Sequence, residues 1–219
     1  MKNLFALTAI AAGLFFSTQA SALTVVNIDN FSTFDQTVVD NTVNGVAVSE
    51  SNATRTLSAN LLAAVPAGDS VIARVTSGIL DVTNGTLEDS EVKVDWNIAA
   101  LALPADAINT GFYFKVVASD ANVTGLEFLF NDANLQNFNI PGNTLNTELT
   151  FGLSAAELAA VSGGGKLTLK INGAPGWDLA LDQFGFSYDK PSKVPEPTTL
   201  GLIGLGLAGM AAARKRKSA

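Results

Sequence analysis

The sequence contains no cysteine and no histidine. Without cysteine there is no disulfide and no thiolate, so a fold reached outside the cytoplasm has to be held by its core alone. Without histidine, Ser-His-Asp triads, histidine general bases and histidine-containing zinc sites are excluded. Tryptophan and tyrosine number two each, which leaves few polar-tipped rings to stack against a ligand. Basic residues are also scarce. Residues 23–193 hold 8 Lys and Arg against 19 Asp and Glu, a net charge of −11, whereas the whole chain carries −7. This acidic stretch argues against nucleic acid or anionic lipid as partners, and favours solubility and a loose attraction for divalent cations. Its length suits one domain with a substantial core.

Both ends of the chain differ from the middle. Lys2, the apolar run from Leu4 to Phe16 and the small-x-small triplet Ala20-Ser21-Ala22 form a signal peptide over residues 1–22. Cleavage is expected after Ala22, with passage through the Sec translocon and cutting by signal peptidase. At the other end, a Pro-rich linker over 191–199 leads into an apolar segment at 200–213 and a basic tail at 214–219. The uncharged run from Thr198 to Ala213 would be about 24 Å long as a helix, short of the roughly 30 Å hydrocarbon core. Arg214, Lys215, Arg216 and Lys217 hold that end on the cytoplasmic side and let the segment span by snorkelling. A transmembrane helix over 200–213 therefore leaves residues 23–190 as an exported ectodomain.

The ectodomain alternates short Val-, Thr- and Ile-rich segments with Asn, Asp and Gly. The cleanest is Glu91 to Ile98, where Val92, Val94, Trp96 and Ile98 share one face and charge occupies the other. Asn84-Gly85 carries the strongest hairpin signal. One short helix is expected, opened by a capping box at Ser154-Ala155-Ala156-Glu157 and closed by Ser162 to Gly165. In the last strand, Trp177, Leu179 and Leu181 hold one parity and Phe184, Phe186 and Tyr188 the other, which predicts a β-bulge near Asp182-Gln183. The fold class is all-β: an antiparallel β-sandwich, jelly-roll-like, with one short helix.

The order Pro195-Glu196-Pro197, short Gly/Leu/Ala helix and terminal Arg/Lys cluster resembles the sorting signal of the PEP-CTERM family. The resemblance implies an exosortase, a membrane-embedded cysteine enzyme that removes the tail and passes the protein to the cell surface or an exopolysaccharide matrix. An ordinary C-terminal anchor is the alternative. A second resemblance rests on Ile28-Asp29-Asn30-Phe31 and Leu181-Asp182-Gln183-Phe184. These are similar to the opening and closing strands of secreted jelly-roll modules of the carbohydrate-binding type, which implies that the two strands pair and that Asp29 and Asp182 hold a structural calcium. The residues themselves also allow both aspartates to be solvated or to cap turns.

Trp177, beside Pro175-Gly176, is either an exposed stacking ring or a tryptophan at the core edge. Tyr113 is expected to face outward. No carboxylate pair stands out among the 19 acids, so no catalytic residues are assigned and a non-enzymatic role is expected. The expected function is structural or adhesive, at the surface or in a biofilm matrix, with binding of matrix polysaccharide as the alternative.

Overall fold

The computed structural model describes residues 21–63, 70–191 and 206–207. Among the described residues, thirteen strands and one helix follow one another between Ser21 and Pro191. The strands are β1 (Ser21–Asp29), β2 (Gln36–Asp40), β3 (Val48–Ser51), β4 (Arg55–Ala63), β5 (Val71–Thr76), β6 (Ile79–Thr83) and β7 (Asp89–Ile98). After these come β8 (Ile108–Ser119), β9 (Thr124–Phe130), β10 (Ala133–Ile140), β11 (Leu145–Gly152), helix α1 (Ala155–Ser162), β12 (Gly165–Gly173) and β13 (Leu179–Pro191). A seven-stranded sheet runs β11-β8-β13-β6-β5-β2, with β1 also paired to β13, and a six-stranded sheet runs β10-β9-β12-β7-β4-β3. Every registered pair is antiparallel. The β-sandwich with one short helix is thus the observed fold, and the expected pairing of first and last strands is present.

Period-two patterning decides which faces meet. Val92, Val94 and Trp96 of β7 and Leu167, Leu169 and Ile171 of β12 turn inward from one sheet, opposite Phe112 and Phe114 of β8 and Phe184 and Phe186 of β13. Phe112 stacks on Phe128 of β9 at 4.1 Å, and Trp96 lies 4.8 Å from Phe184, so aromatic rings tie the two sheets along the centre. Between β10 and β11 one side is closed by Phe138 stacked on Phe151 at 4.4 Å. The buried core, Phe31 to Phe186, lies wholly within the compact unit Leu23–Asp189.

The phase shift in β13 is a pair of compensating bulges. Leu181 faces Val116 and Gln183 faces Lys115, which leaves Asp182 as the extra residue; just before it, the step from Ala180–Ala118 to Leu181–Val116 leaves Val117 extra on β8. This lets Leu181 and Phe184 both point inward. The helix opens as expected: the Ser154 hydroxyl accepts the Glu157 N–H at 3.3 Å and the Glu157 carboxylate accepts the Ser154 N–H at 2.6 Å.

The hairpin expected at Asn84-Gly85 is absent. β6 belongs to the seven-stranded sheet and β7 to the six-stranded one, so Asn84 to Glu88 carries the chain between sheets. The tight turns fall instead at Ser77-Gly78, between β5 and β6, with φ of 52° and 83°, and at Asn131-Asp132, between β9 and β10, with φ of 49° and 65°. Positive φ at both central residues is the turn geometry that matches strand twist.

Candidate functional site

Asp29 stands at the end of β1, where it is fully engaged. Arg55 of β4 donates to it twice, Nε to Oδ2 at 2.6 Å and Nη2 to Oδ1 at 3.0 Å, while Trp96 Nε1 donates to Oδ2 at 2.8 Å and the Phe31 N–H to Oδ1 at 2.8 Å. Arg55 spends its remaining N–H groups on the carbonyls of Thr33 and Phe34 and on Gln36 Oε1, and its guanidinium lies 5.5 Å from the Phe31 ring centroid. Both side chains are buried. The calcium expected at Asp29 is therefore replaced by an internal cation, and so is solvation; the Asx contact to Phe31 is retained. Asp182 is the bulged residue and pairs at the surface with Lys115. Among the described residues no three His, Cys, Asp or Glu side chains gather in a metal-holding group.

Trp177 is fully buried, which removes it as a stacking platform. Its Nε1 donates to the Ser90 carbonyl at 3.4 Å and its own carbonyl accepts Asn84 Nδ2 at 2.6 Å. Gly173 makes room for it, since a Cβ there would stand 2.8 Å from the Trp177 side chain. Asn84 also accepts the Ser90 hydroxyl at 2.5 Å and gives its N–H to Asp178 Oδ1 at 2.8 Å. The Asn-Gly pair is thus an anchor between loops rather than a hairpin. Tyr113 keeps the outward parity but is covered, and burial, with the Glu148 carboxylate second, pushes its phenol up to about 12.

One surface brings polar side chains together in a pattern that residue-by-residue reading missed. On the face of the six-stranded sheet turned away from the core, strand register lines up Asn60, Glu91, Asn172, Gly125 and Asn139 in one row across β4, β7, β12, β9 and β10. The next row is Ser58, Lys93, Lys170, Glu127 and Asn137. Gly125 has no side chain, so its place is a depression of about 330 Å³ walled by Glu91, Glu127, Asn137, Asn139, Lys170 and Asn172. Lys170 lies 3.4 Å from Glu127, which also accepts Asn134 Nδ2 at 2.9 Å. Three amides, two carboxylates and one ammonium therefore surround a bare floor, with an excess of one negative charge. The signal was present as polar residues at every second position of β7 and β12, with Glu127 on β9 and Asn137 and Asn139 on β10; only their alignment across strands was missing.

The sorting residues lie elsewhere. Ala22 is exposed in β1, whereas Ala20, Pro195, Glu196, Pro197 and the cluster Arg214, Lys215, Arg216 and Lys217 fall outside the described residues. So does the expected membrane helix, apart from Gly206 and Leu207, which are helical. Among the described residues no helix is long and apolar enough to cross a membrane. A family model described as the PEP-CTERM protein-sorting motif matches residues 193–217. The tail is a PEP-CTERM sorting motif. The match covers the three features in order, proline pair, apolar run and basic cluster.

No curated protein matches the chain. Solved structures similar to it include TmCBM61 in complex with β-1,4-galactotriose, at 11% identity and a TM-score of 0.33, over 71% of this chain and 88% of that one. The family 11 carbohydrate-binding module of a Clostridium thermocellum cellulosomal cellulase is similar at 9% identity and a TM-score of 0.32, over 77% of this chain and 95% of that one. A structure described as CBM4 is similar at 11% identity and a TM-score of 0.36, over 60% and 86%. Identities and scores this low say nothing of ligand or activity.

Proposed function

We propose that this is an exported, non-enzymatic protein that an exosortase-type enzyme processes at its PEP-CTERM tail and delivers to the cell surface or extracellular matrix, where the sandwich has a structural or adhesive role. The observation that carries the reading is the sorting-motif match at 193–217. On this reading the Sec translocon and signal peptidase act at the N-terminus, with Ala20 and Ala22 flanking the cut. Pro195, Glu196 and Pro197 are recognised, and Arg214 to Lys217 retain the tail at the membrane until it is removed. Intact mass of the protein recovered from matrix and from membranes tests it. The expected matrix species begins at Leu23 and lacks Arg214 to Lys217, and Glu196→Ala with Pro197→Ala is expected to leave an unprocessed membrane form. Recovery of the basic cluster in the matrix species would refute the reading.

A second reading is supported by the Gly125 depression: a polysaccharide of the matrix lies across the strands and is held by Asn137, Asn139, Asn172 and the flanking charges, since amides can donate to and accept from hydroxyl groups at once. Gly125→Ala begins to fill the floor; its Cβ would stand 3.3 Å from the Asn172 carbonyl oxygen, a tight contact that β12 relieves by giving a few tenths of an ångström. Native affinity electrophoresis through gels containing extracted matrix polysaccharide is expected to retard the parent and not the variant. Equal mobility of the two would remove this site from consideration.

A further inference from the structure

Among the described residues five strands have one recorded neighbour: β1, β2 and β11 in one sheet, β3 and β10 in the other, and the end of β1 is tied down by the Asp29–Arg55 pair. An unpaired strand edge offers a row of N–H and C=O groups to any other strand, and proteins blunt such edges with charge, proline, bulges or cover. β2 and β3 cover each other, since Gln36 Nε2 donates to the Glu50 carbonyl at 3.0 Å and the Thr37 N–H donates to the Glu50 carboxylate at 3.1 Å. β11 carries the exposed carboxylate of Glu148.

β10, Ala133 to Ile140, has neither charge nor proline. Its single irregularity is a shift between Asn134 and Gln136, which leaves Gln136 to Ile140 in regular register with β9. The nearest acid on the adjoining strand, Glu127, is already held by Lys170 and Asn134.

Within the regular part, Asn137-Phe138-Asn139 reads the same in both directions. Two copies of such a strand, laid antiparallel about a two-fold axis at Phe138, set Asn137 of each opposite Asn139 of the other. Asn137 and Asn139 are exposed on the polar face, while Phe138 is half-buried on the core side against Phe151. The contact therefore matches amide to amide outside and ring to ring inside, with no like charges brought opposite one another. For two domains that each carry −11, a neutral edge is where approach is least opposed.

We infer that β10 is a self-pairing edge, and that a second copy of this chain docks on it antiparallel to join the two six-stranded sheets into one. This goes beyond the sorting reading and supplies the exported domain with a means of assembly. Because the core lies within Leu23–Asp189, residues 23–190 can be studied alone. Sedimentation equilibrium is expected to show a reversible, concentration-dependent dimer. Asn137→Lys with Asn139→Lys, which sets ammonium against ammonium, is expected to weaken it at least tenfold, whereas Thr150→Lys on β11 leaves it unchanged.

The absence of native cysteine makes register directly testable. Asn137→Cys combined with Asn139→Cys is expected to give a disulfide-linked dimer on oxidation, and Asn137→Cys alone is not. A monomer throughout the concentration range, a dimer indifferent to the two lysines, or equal cross-linking by the single cysteine would each overturn the inference. A monomeric domain from correctly processed protein would do so while leaving the sorting reading intact; retention of the tail would do the reverse.

Discussion

At the scale of single residues, the stability of this cysteine-free domain converges on Arg55. All five of its N–H groups are used, and they reach β1, the loop that follows it and the start of β2 from a position on the other sheet. Phe31 and Phe34 in that loop have φ of 54° and 60°, a region costly for bulky residues; the Phe34 carbonyl is held by Arg55 Nη1 and the Phe31 N–H by Asp29, itself locked to Arg55. Arg55→Ala leaves the Asp29 carboxylate buried without its cation, and a loss of about 3–5 kcal/mol is expected from urea unfolding. Arg55→Ala combined with Asp29→Ala should cost measurably less than the sum of the two single changes, because neither charge is then stranded.

A second residue-scale expectation concerns pH. Burial raises the Asp178 pKa above its ordinary 3.8, opposed by the Asn84 N–H and aided by Asp120 and Asp81. A carboxyl raised in the folded state contributes stability that is fully present below the unfolded value and lost as pH rises through the folded one. Asp178→Asn keeps an acceptor for Asn84 and removes the charge. The variant is expected to unfold at higher urea than the parent at pH 7, with the gap closing at pH 3.

At the scale of elements, the strands were legible because burial of one sheet face imposes period two, as at Val92, Val94 and Trp96. The bulge at Asp182 was legible for the same reason, since a change of parity within one strand has few other causes. Asn84-Gly85 misled because turn propensity is local, whereas the choice between closing a hairpin and crossing to the other sheet depends on which strands lie beside β6 and β7. Asp29 and Trp177 were illegible in kind: their partners Arg55, Trp96, Asn84 and Ser90 lie 26 to 93 residues away, and only the folded register brings them together.

The junction of the first and last strands rests on a glycine that no periodicity marks. A Cβ at Gly185 of β13 would stand 2.4 Å from the Val26 carbonyl oxygen of β1. Gly185→Ala must therefore push β1 outward. Amide hydrogen exchange over Thr24 to Ile28 is expected to accelerate strongly, with β5 and β6 little changed, since β5 makes no pair with β13 and β6 meets it only at Leu179 to Leu181. Uniform acceleration would mean that β1 is not a separable element.

At the scale of the whole molecule, the two ends of the fold are also the two ends that the proposed export route would process. β1 spans Ser21 to Asp29 and so includes Ala22, where signal cleavage is expected. A peptidase needs that stretch extended and free, while the fold needs it paired with β13. On the proposed reading the conflict is resolved by order in the chain: β13 is the last described strand, so β1 lacks its β13 partner until nearly all of residues 23–190 have been exported, and cleavage is expected to precede pairing. A chain ending at Gly176 lacks β13 altogether. Its signal peptide is expected to be removed as fast as that of the full chain in pulse-labelled cells, while the product stays protease-sensitive, because β8, β6 and β1 have all lost their shared neighbour. Slowed cleavage in the truncated chain would mean instead that the peptidase reads a folded amino-terminal strand, and that pairing comes first.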